Sequence, residues 1–177
     1  MSPPRAYLAG PEVFLPDAIA VGEAKKAICA DHGIEGVYPL DGPALAFEPG
    51  AIFDRCIEHL DACDLVIANL TPFRGPSMDV GTAVEMGYAL GAGKPVFGYT
   101  NVADDYRARV ADDGLFVEDF GLADNLMCEG AVGRHGGTVV RVAVDPEVDG
   151  AAALLAHPAG FRAAVRQAAD WAGHPHP

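Results

Sequence analysis

The stretch best equipped for chemistry runs from Asp64 to Asn101, DLVIANLTPFRGPSMDVGTAVEMGYALGAGKPVFGYTN. An apolar run, Leu65–Leu70, ends in a loop rich in Pro, Gly and Ser, and a helical pattern opens near Asp79 or Val80. Asp79 suits the N-cap, where a carboxylate accepts backbone N–H bonds and meets the positive end of the helix. Glu85 lies about one and a half turns inside, and helical side chains lean back toward the N-terminus. It is expected to point toward the strand exits over Gly81 and Thr82, both small. A helical glutamate is ordinarily a solvated surface residue. Here Val84, Met86, Tyr88, Ala89 and Leu90 make the helix apolar on nearly every side, which predicts burial. A buried acid is costly unless paired or functional, so Glu85 is a candidate nucleophile. Asp79 reads equally well as a cap or as a site residue.

A second candidate segment is Tyr7-Leu8-Ala9-Gly10-Pro11-Glu12-Val13-Phe14. The Tyr7 hydroxyl can hold a carboxylate, Gly10 allows a ligand close to the backbone, and Phe14 completes this exit as a candidate substrate contact. Neither a GxGxxG fingerprint nor a P-loop occurs, so dinucleotide and triphosphate binding lose their main support. Six scattered histidines form no ligand pair outside the terminal HPH, and there is no GxSxG elbow. No metal or cofactor is expected.

These residues need a frame. Strand-length apolar runs at Ala6–Ala9, Gly36–Leu40, Leu65–Leu70, Val96–Tyr99 and Thr138–Val144 alternate with helical patterns. The helices are expected at Asp17–His32, Ala51–Cys63, Val80–Ala92, Leu122–Met127 and Ala159–Trp171. In the first, Ile19, Ala20, Ala24, Ala27 and Ile28 form the apolar stripe, with Glu23, Lys25 and Lys26 on other sides. Such alternation predicts right-handed βαβ crossovers and a three-layer, doubly wound, five-stranded parallel sheet, flavodoxin-like or Rossmann-like. Sites on these sheets lie outside the carboxyl ends of the strands, here Gly10–Phe14, Thr71–Asp79 and Thr100–Asp105. Residues 1–177 read as one domain, with a less diagnostic C-terminal strand and helix in 133–177. Residues 145–158 read as a loop or short helix, and the 173–177 tail is expected to fray.

Acidic residues outnumber basic ones by 25 to 12, a net charge of −13, which repels nucleic-acid polymers and anionic membranes but not a neutral nucleoside. No apolar run approaches the ~18 residues of a membrane span, and no signal peptide is evident. Cys29, Cys56, Cys63 and Cys128 lack CxxC spacing and read as reduced thiols of a cytoplasmic protein.

Taken together, YLAGPEVF, NLTPFRGPSMDVGTAVEMGYALGAGKP and VEDFGLADNLM resemble the nucleoside 2-deoxyribosyltransferase family across roughly residues 6–130. The resemblance implies transfer of 2-deoxyribose between purine or pyrimidine bases, with deoxynucleosides and free nucleobases as partners. It implies that Glu85 is the nucleophile, that Asp79 binds the sugar hydroxyls, and that Tyr7 holds the nucleophile. It also implies a homo-oligomer in which Asn125, with Met127 nearby, completes a neighbouring subunit's site. The chain departs from the family pattern at Cys56, where a carboxylate or amide usually contacts and protonates the base. Asp54 and Glu58 face elsewhere on that helix, and the loop Asp41-Gly42-Pro43 offers no amide.

Two rival functions remain open. One is an N-glycoside hydrolase; a related nucleotide-cleaving group carries Ser at the position of Asp79, whereas a carboxylate there repels a 5′-phosphate. The other is a non-catalytic nucleotide-binding module.

Overall fold

The computed structural model describes residues 2–44 and 47–173; the HPH motif and all but the first residue of the tail lie outside them. Five parallel strands, β1 (Arg5–Ala9), β2 (Glu35–Val37), β3 (Leu65–Asn69), β4 (Val96–Thr100) and β5 (Val140–Arg141), form one sheet in the order β2-β1-β3-β4-β5. Helices α1 (Ala18–Ala30) and α7 (Pro158–Ala172) cover one face. On the other lie α2 (Pro49–Asp61), α3 (Val80–Gly91) and α5 (Leu126–Gly133). Two further helices are α4 (Tyr106–Arg109) and α6 (Pro146–Ala156). The expected three-layer doubly wound fold is present. Because helices cover both faces, β3 and β4 are buried along their whole length and mostly apolar, and in β1 Ala6 to Ala9 are fully buried. The strand order reverses between β1 and β3, so β1 and β3 flank the crevice that Tyr7 and α3 share.

Several boundaries differ from expectation. β2 stops at Val37 because the Tyr38 amide donates to the Asp41 carboxylate at 2.9 Å, turning the chain. β5 is a two-residue edge strand rather than the whole of Thr138–Val144. The helix expected at Leu122–Met127 begins later, where Asn125 caps α5 by accepting from the Met127 amide. The undecided segment 145–158 is helical with a break at Gly150, whose φ of 74° is left-handed. α3 is not apolar-buried all round: Thr82, Met86 and Ala89 face inward, while Val80 and Val84 are 80% and 62% exposed. No described helix is long and apolar enough to cross a membrane.

The largest correction within α1 concerns Lys25, which faces the sheet while Ile19 is exposed. Its ammonium is paired with Glu12 at 2.6 Å, and the same Glu12 oxygen accepts from Asn69 Nδ2 at 2.9 Å and Tyr99 Oη at 2.8 Å. Lys25 also lies over the Phe161 ring at 4.6 Å. This cluster anchors the short 3-10 turn Pro11–Phe14 that follows β1. Removing one partner of a buried pair strands the other charge. Lys25→Met is therefore expected to cost about 3–5 kcal/mol in denaturant unfolding.

Candidate active site

β1 places Tyr7 on the face covered by α2 and α3, and α3 returns Glu85 to it. The Tyr7 hydroxyl donates to Glu85 Oε1 at 2.6 Å, across 78 residues of sequence. Burial pushes the Glu85 carboxyl up to about 7 from 4.5; the Tyr7 bond opposes the shift and the Asp79 charge adds to it. Burial first, then the neighbouring Glu85 charge, raises Tyr7 far above the ordinary phenol range, so it stays a donor. The Cys56 thiol of α2 also neighbours the Tyr7 hydroxyl. Its pKa is raised, chiefly by burial, with Tyr7 acting the other way, so Cys56 carries its proton at neutral pH. Asp54 and Glu58 are exposed on α2.

Asp79 occupies the expected N-cap. Its Oδ2 accepts from Thr82 N at 2.9 Å and from Thr82 Oγ1 at 3.1 Å. Its Oδ1 accepts nothing from the described residues and remains available. Gly81 leaves room for this carboxylate: a Cβ there would lie 3.0 Å from Oδ2. Gly81 therefore accommodates the cap rather than Glu85. At Gly10 a Cβ would meet Glu12 Oε2 at 2.0 Å, so packing against this carboxylate requires a glycine there.

Phe14 is 56% exposed and stacks on Phe73, with ring centroids 5.3 Å apart and planes 11° from parallel. The Arg74 guanidinium covers both rings, at 4.6 Å from Phe73 and 5.2 Å from Phe14, from a left-handed backbone with φ 57°. Phe73 and Arg74 escaped the sequence reading; the non-glycine left-handed residue has no signature there. Asn125 and Met127 make no hydrogen bond to the Tyr7–Glu85 pair. Asn125 spends its carbonyl oxygen on capping α5, and Met127 is 72% exposed. Thus Tyr7, Glu85, Cys56 and Asp79 come together, Phe14 flanks the β1 exit, and half-buried Asn125 and exposed Met127 lie at the start of α5. A cleft of about 390 Å³ between α1 and α7 and another of about 300 Å³ beside the β2–α2 loop do not include Glu85.

Residues 6–127 match the family model described as nucleoside 2-deoxyribosyltransferase. This chain belongs to that family. A Schizosaccharomyces pombe protein described as uncharacterized is 37% identical, with 77% of this chain and 80% of that protein covered. The solved structure of a 2-deoxyribosyltransferase from Leishmania mexicana is 34% identical, covers 78% of this chain and 90% of its own, and superposes with a TM-score of 0.67. A conserved protein from Enterococcus faecalis, at 20% identity and a TM-score of 0.52, covers 93% of this chain and 98% of its own and shares the fold. Membership indicates a nucleoside 2-deoxyribosyltransferase-like enzyme acting on nucleosides and nucleobases.

Proposed function

We propose that this family member moves 2-deoxyribose from one base to another through an ester on Glu85, with retention of configuration. The observation that carries the reading is the 2.6 Å Tyr7–Glu85 hydrogen bond at the switch point of the sheet. The Glu85 carboxylate attacks C1′, and the C1′–N bond breaks with its electron pair leaving on the base, which takes up a proton. A second base attacks C1′ from the vacated side and displaces the carboxylate. Tyr7 holds the nucleophile, and the free oxygen of Asp79 receives sugar hydroxyls. Phe14, exposed beside this site, receives the planar base. Cys56, where an acid or amide is usual, is the protonated group nearest Tyr7 on α2. Val80 and Val84 of α3 and Met127 of α5 are exposed apolar side chains in one chain. That supports a homo-oligomer in which Asn125 and Met127 reach a neighbour's site.

Transfer and hydrolysis share the ester, so the acceptor decides. With a deoxynucleoside donor, added free base is expected to yield a new nucleoside at the expense of deoxyribose. Production of deoxyribose alone, whatever base is added, would establish the hydrolase. Asp79 also sets a preference, because a carboxylate repels a dianionic phosphate. Deoxynucleosides are expected to exceed their 5′-monophosphates at least about tenfold in kcat/KM, a gap of ~1.4 kcal/mol. Equal use of monophosphates would contradict that assignment.

A further inference from the structure

α3 starts at Asp79, and the two residues before it are held by a carboxylate from a distant loop. Asp124 is 1% exposed. Its Oδ1 accepts from Ser77 Oγ at 2.5 Å and from the Asn125 amide at 2.7 Å, while Oδ2 accepts the Met78 amide at 2.8 Å. Arg109 binds the same two segments, through Nε to Pro76 O at 3.1 Å and Nη2 to Ala123 O at 2.6 Å. The loop that feeds α3 is thus riveted at 76, 77 and 78. Thr82 already occupies one oxygen of Asp79, so the backbone at 77–79 decides where the other oxygen points.

We propose that Asp124 is a positioning residue for the sugar side of the site: by holding Ser77 and Met78 it aims the free oxygen of Asp79 at the deoxyribose. The inference rests on the proposed function and extends it to a residue that touches no substrate. An amide cannot replace this carboxylate. In either orientation the NH2 of an Asp124→Asn side chain would face a backbone N–H, of Met78 or of Asn125, and one bond becomes a donor–donor clash.

The test is a double-mutant cycle in the full chain, measuring initial transfer rates against donor deoxynucleoside and against acceptor base. Asp124→Asn is expected to raise the donor KM about tenfold, with kcat within about threefold and the acceptor KM unchanged. In an Asp79→Ala background the same substitution is expected to change the donor KM less than about twofold, since its route through Asp79 is gone. Ser77→Ala removes one hydroxyl bond and is expected to raise the donor KM about two- to threefold, which keeps the question open to measurement if Asp124→Asn does not fold. An unchanged donor KM in a folded Asp124→Asn or, failing that, in Ser77→Ala overturns the proposal. So does a tenfold effect that persists without Asp79. A wild-type chain with no transfer at all overturns the proposed function and this inference together, and is distinguished by the wild-type control.

Discussion

Glu85→Gln is expected to lower transfer by about 10⁴-fold or more while the folded chain becomes more stable at alkaline pH. The amide keeps the shape and can still accept the Tyr7 hydrogen bond, but it cannot form the ester. The stability half follows from the carboxyl being held at about 7 instead of 4.5. Between those values the folded chain binds the proton that the unfolded chain releases, so wild-type stability falls as pH rises through this window. Below about 4.5 burying Glu85 carries no charge penalty; above about 7 the penalty is complete. Thermal melting of the two proteins is expected to coincide near pH 4 and to separate near pH 8 by on the order of 1–3 kcal/mol, the variant being the more stable. Near-normal transfer by Glu85→Gln would remove the assignment.

Tyr7→Phe is expected to produce the second largest effect, and in a pH-dependent way. The nucleophile must be ionised, so kcat/KM falls as pH drops through about 7. The Tyr7 hydroxyl stabilises the ionised form; its loss leaves burial and the Asp79 charge unopposed and raises the Glu85 carboxyl further. A hydrogen bond to a charged group contributes roughly 1.5–3 kcal/mol, so the acid limb is expected to move up by about one to two pH units. Activity then falls ten- to a hundredfold at about pH 6, with a smaller loss at about pH 8.5. An acid limb that stays in place would mean that the 2.6 Å bond does not govern the charge on Glu85.

Much of the frame was legible because β1, β3 and β4 are covered on both faces and therefore carry nearly continuous apolar runs. The edge strands were overdrawn, since an apolar run does not record where backbone pairing stops; at Tyr38 the stop is set by the Asp41 side chain. α5 was misplaced because Leu122, Ala123 and Leu126 carry an apolar pattern across its true cap, Asn125. Tyr106–Arg109 is a single turn and too short for periodicity to show.

Within the site, Glu85 and its cap Asp79 share one helix, so their relation is written in local spacing. Tyr7 joins them only in three dimensions; its hydroxyl reads as a carboxylate holder from the sequence, but the family resemblance rather than spacing tied it to Glu85. The contacts of Lys25 with Glu12, of Phe14 with Phe73, and of Asp124 with Ser77 and Met78 escaped reading because each joins residues distant in sequence. Lys25 looked like a surface lysine because its stabilising partner lies outside its helix.

The most direct test of the central claim is to trap the ester. A 2-fluoro-2-deoxynucleoside slows both formation and breakdown of the sugar ester by destabilising the oxocarbenium-like transition state. Intact-protein mass spectrometry followed by peptide mapping should find one fluorodeoxyribosyl group per chain, on the peptide carrying Glu85, discharged when free base is added. Transfer without any adduct, or an adduct on another residue with Glu85 unmodified, would contradict the account.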